Sequence, residues 1–367
     1  MKIGILTYHR AHNYGAMLQA YALRTTLKKK GHDVKFVDYW PESHSKQYAL
    51  FKPIVGTNVF SKAKNLIIQI LTLFRRYHRI NTFKRFSLRY LELPNKVKYP
   101  IDQQLIPENF DCVIVGSDQI WRNHISAKKT IGFDSVYFGQ NFKPAIPCIS
   151  YAASMGIIEM NNAEENLIKK YLKRFDTILV REHNLKELIE KLGYTANVVL
   201  DPTLLLTYEE WNKLLPKTRY REEKYVLYYE LIPSVAARTF AKQKAKKLGC
   251  KLLVMDAVIH TLPKIGHISY ASPIEFLHTI RDAEYIIATS FHGTAFSIIF
   301  NKQFITIGLK KNSDRVRTLL NSLGINEHYQ EHPADVPSIN YEEVNKLCTK
   351  IKKQSLDLLN EAINKYQ

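Results

Sequence analysis

The chain has few cysteines and few acidic residues, and it has no long apolar run. Its four cysteines, Cys112, Cys148, Cys250 and Cys348, lie far apart and include no Cys-x-x-Cys pair, so the sequence predicts neither a disulfide framework nor a zinc site. The apolar start at residues 3–6 is too short for the core of a signal peptide, and no later run reaches the length of a membrane span. We therefore expect a protein of the reducing cytoplasm.

The sequence also lacks the common motifs for binding nucleotides and metals. The sequence has no glycine-rich nucleotide-binding loop and no acidic pair typical of a divalent-metal site, so we expect neither a metal nor a cofactor. It also has no repeat of solenoid period and no low-complexity tract. What is present is a chain of 367 residues with 46% hydrophobic and 11% aromatic side chains, which is typical of a globular protein and long enough for two domains.

Positive charge is in clear excess. The chain has 53 Lys and Arg against 34 Asp and Glu, a formal net charge of +19. Such a charge implies an acidic partner: a phosphorylated metabolite, an anionic lipid headgroup, an acidic glycan or nucleic acid. Ten of the basic residues fall within the segment 61–98, against the single acid Glu92, and apolar side chains recur there at roughly helical spacing.

This basic amphipathic segment, 61–98, has two interpretations. It can lie on an anionic membrane surface, or it can be a helix docked on its own domain with a solvated basic face, which is the interpretation we prefer. Nucleic acid is not expected as a partner, because the aromatic side chains lie on the apolar side of the helix and no base-reading motif is present.

Strands and helices alternate along most of the chain, which predicts an α/β fold with parallel sheets covered on both faces. We expect two Rossmann-like domains whose sheets face a central cleft: an N-terminal domain over 1–205, a C-terminal domain over 206–340, and a last helix in 341–367. Strands are predicted over 2–8, 34–38, 111–116, 147–152, 177–180 and 197–200, and then over 225–231, 252–255, 285–289 and 304–307. The charged stretch 203–223 is the predicted linker, and Asp201-Pro202 is interpreted as the domain boundary.

The most informative stretch is 284–301. A buried strand through residue 289 is followed by Ser290-Phe-His-Gly293, and a helix is predicted to start at Thr294 as its cap. This arrangement puts Ser290 and His292 at the carboxyl edge of a sheet, facing the positive end of a helix, where small anions bind. A histidine there is more suited to contacting an anion or moving a proton than to filling a core.

Several other loops also follow predicted strands at their carboxyl ends. They contain Asn13-Tyr-Gly15, Gly116-Ser-Asp-Gln-Ile-Trp121, Ser150-Tyr-Ala-Ala-Ser154 and Arg181-Glu182. Together with Asp201-Pro-Thr-Leu-Leu205 and Ser290-Phe-His-Gly293, in this order and spacing, these blocks resemble the polysaccharide pyruvyl transferase family. Two positions depart from the family pattern: Thr289 stands where Asp is common, and Arg122 separates Trp121 from Asn123.

The resemblance implies a fold similar to the two-domain glycosyltransferases of the B type. It also implies an activity, which is transfer of a pyruvyl group from phosphoenolpyruvate, as co-substrate, to two hydroxyls of one sugar. The products are a cyclic ketal and phosphate. The expected partners are phosphoenolpyruvate and a glycan or lipid-linked saccharide, with the acceptor on the N-terminal domain and the donor on the C-terminal domain. We expect the enzyme in the cytoplasm, and peripheral contact at the inner face of the membrane is the weaker hypothesis.

Site residues follow from the resemblance and from the chemistry of the donor. The expected catalytic residues are His292, Asp118 and Arg181, and the expected substrate-binding residues are Asn13, Gly15, Gln119, Ser290, Gly293 and Arg315. Arg181 and Arg315 would bind phosphate and carboxylate, and backbone N–H groups after Gly293 would hold phosphate. His292 would transfer a proton or bind phosphate, with a pKa near working pH, and Asp118 would accept a hydroxyl proton. Asn13 and Gln119 would orient sugar hydroxyls.

Structural interpretations of the same residues stay open. Asp118 can cap a helix, Arg315 can be an exposed first-turn residue, and Asn13 with Gly15 can form a turn. Two alternative functions also stay open: a B-type glycosyltransferase that uses a sugar nucleotide, and a non-catalytic protein that grips an anion between two lobes.

Overall fold

The computed structural model describes residues 1–54, 57–98, 109–125, 130–256, 259, 266–308 and 313–366. Two six-stranded sheets, both parallel throughout, dominate it and confirm the predicted α/β class. Central strands such as Cys112–Val115 and Tyr285–Ala288 are buried along their whole length, because helices cover both faces of each sheet.

The N-terminal sheet has the strand order β2-β1-β3-β6-β7-β8. The strands of this half are β1 (Lys2–Leu6), β2 (Asp33–Phe36), β3 (Cys112–Val115), β4 (His124–Ile125), β5 (Thr130–Gly132), β6 (Cys148–Ala153), β7 (Thr177–Val180) and β8 (Asn197–Val198). Strands β4 and β5 form a separate antiparallel pair. The helices are α1 (Tyr14–Lys29), α2 (Glu42–Gln47), α3 (Val59–Phe86), α4 (Asn162–Leu172) and α5 (His183–Lys191).

The C-terminal sheet has the strand order β11-β10-β9-β12-β13-β14. Its strands are β9 (Tyr225–Glu230), β10 (Lys251–Asp256), β11 (His267–Ile268), β12 (Tyr285–Ala288), β13 (Phe304–Ile307) and β14 (Tyr329–Gln330). The remaining helices are α6 (Tyr208–Asn212), which lies between the two sheets in sequence, α7 (Val235–Lys247), α8 (Pro273–Asp282), α9 (Phe291–Ile299), α10 (Asp314–Ser322) and α11 (Tyr341–Asn364).

The connection between the two sheets contains buried and hydrogen-bonded secondary structure, where the sequence predicted a linker. A 3-10 turn at Pro202–Leu205 is buried, and α6 places Trp211 in the core, where its indole Nε1 donates to the Thr203 carbonyl at 3.0 Å. The last helix, α11, returns to the N-terminal half: the Leu200 amide donates to Ser355 Oγ at 3.0 Å. The boundary segments therefore pack against both halves.

The two halves meet at the start of α1. The Tyr14 ring stacks on Phe276 of α8, with centroids 4.7 Å apart and planes inclined by 5°. From α3, Arg79 donates to the carbonyls of Ser269 and His12, both at 3.2 Å. Aromatic stacking and these charged bonds hold the carboxyl edges of the two sheets opposite each other.

Helix α3 contains most of the basic amphipathic segment. Its C-terminal part is docked as predicted, with Phe83 and Phe86 buried in the core. Its N-terminal part is not: Phe60 is 89% exposed and Phe74 is 77% exposed. The prediction of a helix with its apolar side on its own domain is therefore wrong for this part.

Candidate functional site

A cavity of about 300 Å³ lies where the carboxyl edges of the two sheets face each other. Six of the nine predicted site residues line it: Asn13, Asp118, Gln119, Ser290, His292 and Arg315. They come from loops after β1, β3 and β12 and from the start of α10, which is the placement expected of a ligand site between parallel sheets. The other three, Gly15, Arg181 and Gly293, lie directly behind its wall.

Helix α9 begins at Phe291, three residues earlier than predicted. Ser290 is its cap, with its Oγ accepting from the Gly293 amide at 3.0 Å. The Thr294 hydroxyl donates instead to the Ser290 carbonyl and contacts Thr306. The N–H of Gly293 is therefore used by the cap, and the anion-facing start of the helix is formed by Phe291 and His292.

His292 is buried, and its Nε2 atom has no hydrogen-bond partner. This atom lies 3.8 Å from Asp201 Oδ2. Burial lowers the pKa of the imidazole, and although Asp201 and Asp118 oppose that effect, the pKa stays below its ordinary value. The imidazole is therefore neutral at neutral pH without ligand, whereas the sequence had suggested a pKa near working pH.

Gly15 makes room for this imidazole. A Cβ atom at Gly15 would lie 1.9 Å from Nδ1 and 2.3 Å from Cγ of His292. No side chain other than hydrogen fits there without displacing the ring. Gly15 thus acts through His292, while Gly293 is packed against Tyr229 and Ala288, each 2.9 Å from the position of a Cβ.

Arg181 lies behind His292 and is buried. Its Nη1 donates to Asp201 Oδ2 at 2.6 Å, and its guanidinium lies 4.6 Å from the Phe291 ring centroid. Nη2 is 3.7 Å from Asp118 Oδ1, and neither Nε nor Nη2 has a hydrogen-bond partner. Burial alone would lower the pKa of Arg181, but Asp201, Glu182 and Asp118 raise it instead.

Asp201 is the residue that sequence analysis missed. It was interpreted as a domain boundary and as part of a family block, without a role in the site. Its carboxylate is nevertheless buried and accepts from Arg181, from Ser117 Oγ at 3.0 Å, and from both the amide and hydroxyl of Thr203. Burial would raise its pKa, but the Arg181 guanidinium lowers it below its ordinary value, so the group is ionised. Its position directly after β8 is the same signal that identified the other loops.

Asp118 and Asn13 combine local and cavity-facing roles. Asp118 has a left-handed backbone (φ 74°), and its Oδ1 accepts from the Gln119 amide at 2.8 Å. No helix follows it, so the helix-cap interpretation does not apply. Asn13 does cap α1, since its side chain accepts from the Ala16 amide at 3.2 Å, and it also lines the cavity.

Two arginines face the cavity itself. Arg315 is partly buried and its Nε has no partner; burial and the neighbouring Arg181 lower its pKa to about 10. Arg122, whose position was noted only as a departure from the family pattern, lines the same cavity. The other departure, Thr289, has a local explanation: its Oγ1 accepts from the amides of Leu231 and Ile232 and so holds the loop after β9.

These groups can bind an anion and move a proton. Arginine N–H groups and an imidazole with no protein partner surround the cavity, and buried donors of this kind are costly unless a ligand satisfies them. Asp118, with its carboxylate at the same wall, can accept a proton from a hydroxyl. Among the residues that the structure describes, no group of three or more His, Cys, Asp or Glu is arranged to hold a metal.

Comparison with known proteins gives one family and a set of similar structures. The family model described as polysaccharide pyruvyl transferase matches residues 13–311. No curated protein sequence matches the chain significantly. Similar solved structures include a putative UDP-N-acetylglucosamine 2-epimerase from Listeria monocytogenes (10% identity, 100% of this chain and 90% of that chain, TM-score 0.46). They also include a glycosyltransferase from Streptomyces nogalater (12% identity, 99% of each chain, TM-score 0.36).

Proposed function

The chain belongs to the polysaccharide pyruvyl transferase family, and we propose that it moves a pyruvyl group from phosphoenolpyruvate onto a sugar of a cell-surface glycan or its precursor. The product would be a ketal ring across two hydroxyls of one sugar, with release of inorganic phosphate. The observation that carries the proposal, beside the family, is the meeting of His292, Asp118 and Arg315 at one cavity between the sheets.

Binding of the donor uses the unpartnered N–H groups. Phosphoenolpyruvate has a phosphate and a carboxylate, and both prefer charged N–H donors. In this proposal Arg315 and the start of α9 bind the phosphate, and Arg122 lies near enough to the same cavity to bind the carboxylate. Arg181, held from behind by Asp201, lies 3.7 Å from Asp118 and fixes Phe291 beneath its guanidinium.

The reaction then needs one proton added to C3 and one proton removed from each of two sugar hydroxyls. Protonation of C3 makes C2 electrophilic, one sugar hydroxyl adds to C2 and loses its proton, and a second hydroxyl displaces phosphate and closes the ring. One hydroxyl proton balances the proton now in the methyl group, and the other leaves with phosphate. We assign His292 to proton transfer or to a charge-assisted bond with phosphate, and Asp118 to the acceptor hydroxyl.

The acceptor sugar lies on the N-terminal side in this proposal. Asn13 and Gln119 line the cavity there and can bond sugar hydroxyls. All four cysteines are free, which is consistent with the cytoplasmic location that we propose. A position at the inner face of the membrane is supported by helix α3, whose N-terminal part exposes large apolar side chains.

The deciding experiment incubates the protein with phosphoenolpyruvate and a panel of saccharides, and measures phosphate release together with acceptor mass. We expect acceptor-dependent phosphate release and the mass gain of a pyruvyl ketal. Release of a nucleoside diphosphate from a sugar nucleotide would instead support a glycosyltransferase, and tight binding of phosphoenolpyruvate without turnover would support the anion-binding alternative.

Two variants test the assigned residues. His292→Ala and Arg315→Ala should each lower turnover by about 100-fold or more, since each removes a group proposed to act on the donor. The matched control is His278→Ala, because His278 is also buried but bonds the Thr218 carbonyl and Asp282 away from the cavity. Near-normal activity in either test variant would remove that residue from the mechanism.

A further inference from the structure

The N-terminal part of helix α3 is packed with its apolar side outward. Ile67, Ile70, Leu71 and Phe74 follow the spacing i, i+3, i+4, i+7 and so share one face of the helix. All four are exposed, and Ile70 and Phe74 are 62% and 77% exposed. Phe60, two turns earlier, lies on the same face and is 89% exposed. We call these five residues the apolar stripe.

The opposite, polar face of the helix packs against the chain itself. Thr72 is only 4% exposed and bonds the Ile68 carbonyl at 2.7 Å. Gln69 bonds both the amide and the carbonyl of Lys52, and Arg76 donates to the Ala49 carbonyl at 3.0 Å. A helix in water normally buries its apolar face, so this inverted orientation indicates that an external apolar partner covers the stripe.

Helix α3 is held in place at both of its ends. Its beginning is closed by a capping box between Asn58 and Ser61. Its C-terminal part is anchored by Phe83 and Phe86 in the core and by Arg79, whose guanidinium lies 5.7 Å from the Tyr14 ring centroid. The stripe is therefore presented on a helix whose orientation the rest of the fold fixes.

Charge identifies the kind of partner. Residues 59–91 contain eight Lys or Arg and no Asp or Glu. Lys64 is exposed beside the stripe, and Lys62 is exposed on the polar face of the same helix. A second copy of this helix would bring the same positive charges face to face with no acid to pair them, whereas an anionic lipid surface offers both negative charge and an apolar layer.

We propose that the apolar stripe of α3, with Lys64 beside it, docks the protein on an anionic lipid surface. The helix lies in the plane of the interface and inserts the stripe into the boundary between headgroups and acyl chains. It does not cross the bilayer: none of the helices in the described ranges is long and apolar enough to do so. This docking does not depend on the reaction proposed above, and it is measured without any substrate.

The test is sedimentation of the full-length protein with vesicles of equal parts phosphatidylglycerol and phosphatidylcholine, compared with phosphatidylcholine alone. We expect binding to the anionic vesicles that weakens at high salt, and little binding to the neutral ones. The triple variant Ile67→Ser/Ile70→Ser/Phe74→Ser should bind the anionic vesicles about tenfold or more weakly, because it removes the inserted side chains. Lys64→Ala should reduce binding by about fivefold.

Matched controls lie on α7, in the other half of the molecule. Lys242→Ala/Lys246→Ala removes two exposed charges, and Val235→Ser/Leu248→Ser removes two exposed apolar side chains, and both should bind vesicles as the parent protein does. Absence of binding to anionic vesicles at low salt would overturn the proposal. So would a parent protein that is dimeric in sedimentation velocity, becomes monomeric with the triple serine change, and ignores vesicles, since the stripe would then be a subunit interface.

Discussion

Substitution of Gly15 by alanine gives the sharpest test of the site's geometry. Gly15 lies inside α1, where alanine is the better helix former, so helix propensity alone predicts a gain in stability of about 1 kcal/mol. The contact with His292 predicts the reverse. A Cβ at 1.9 Å from Nδ1 must push the ring about 1.5 Å to reach an ordinary contact of 3.4 Å. Such overpacking costs about 1–3 kcal/mol.

The expected result is a lower free energy of unfolding for Gly15→Ala, by up to about 2 kcal/mol, which is the overpacking cost less the gain in helix propensity. Turnover should fall by about 100-fold, because a displacement of about 1 Å at a reacting group has effects of that size. Stability is measured by urea denaturation, and turnover by phosphate release in the presence of an acceptor.

A double-mutant cycle isolates the contact. In a His292→Ala background the clash is absent, so Gly15→Ala should now stabilise the protein and should cause no further loss of activity. Gly31→Ala is the control: Gly31 has φ +84° with nothing within 4 Å, so its cost of about 1 kcal/mol should be the same in both backgrounds. An equal effect of Gly15→Ala in both backgrounds would refute the argument.

Three further predictions concern charge. Asp201→Asn should lower the free energy of unfolding, measured by urea titration, by about 3–5 kcal/mol, because it removes the only carboxylate that is hydrogen-bonded to the buried Arg181 among the described residues. The exposed Asp335→Asn should cost less than about 1 kcal/mol in the same titration. Burial lowers the pKa values of His12 and His44 to about 4, whereas both are about 6.5 in the unfolded chain, so both histidines favour unfolding as the pH falls. Between pH 7.5 and 5 each histidine should lower the free energy of unfolding by about 2 kcal/mol. In urea titrations at the two pH values, His44→Gln should therefore lose less stability than the parent protein. Binding of phosphoenolpyruvate should take up a proton at pH 7.5, seen by calorimetry in buffers of different ionisation enthalpy, and His292→Gln should abolish the uptake.

Much of the fold could be predicted because its signals are local. Buried parallel strands are short runs of apolar and β-branched residues, and β7 and β13 begin and end where the sequence predicts. The start of α9 was missed because Ser290 and Thr294 are both good cap residues. Which of the two caps the helix depends on a residue distant in sequence. The Thr294 hydroxyl bonds the Thr306 hydroxyl on β13, and Ser290 is therefore the cap.

The site was predicted in part for a related reason. Asn13, Asp118 and His292 could be identified because each follows a predicted strand, and the topology of a parallel sheet places such residues at its carboxyl edge. It could not show that Gly15 supports the imidazole, because that contact joins the two halves of the chain. Periodicity likewise revealed the amphipathic character of α3 but not its direction, since an apolar stripe has the same pattern whether a protein core or a membrane covers it.

Charge balance decides how a site of this kind can hold a phosphate ester. The charged side chains at and behind the cavity are Arg122, Arg181 and Arg315 together with Asp118, Glu182 and Asp201. Their charges cancel while the imidazole is neutral, so net attraction does not draw the anion in. The anion is instead attracted by donors that have no other partner. Asp201 already accepts four hydrogen bonds from protein donors, whereas Arg315 Nε and His292 Nε2 have no protein partner. An anion placed there adds to the effect of the two aspartates on His292 and raises its pKa. The acid that the proposed reaction needs is then formed when the donor binds.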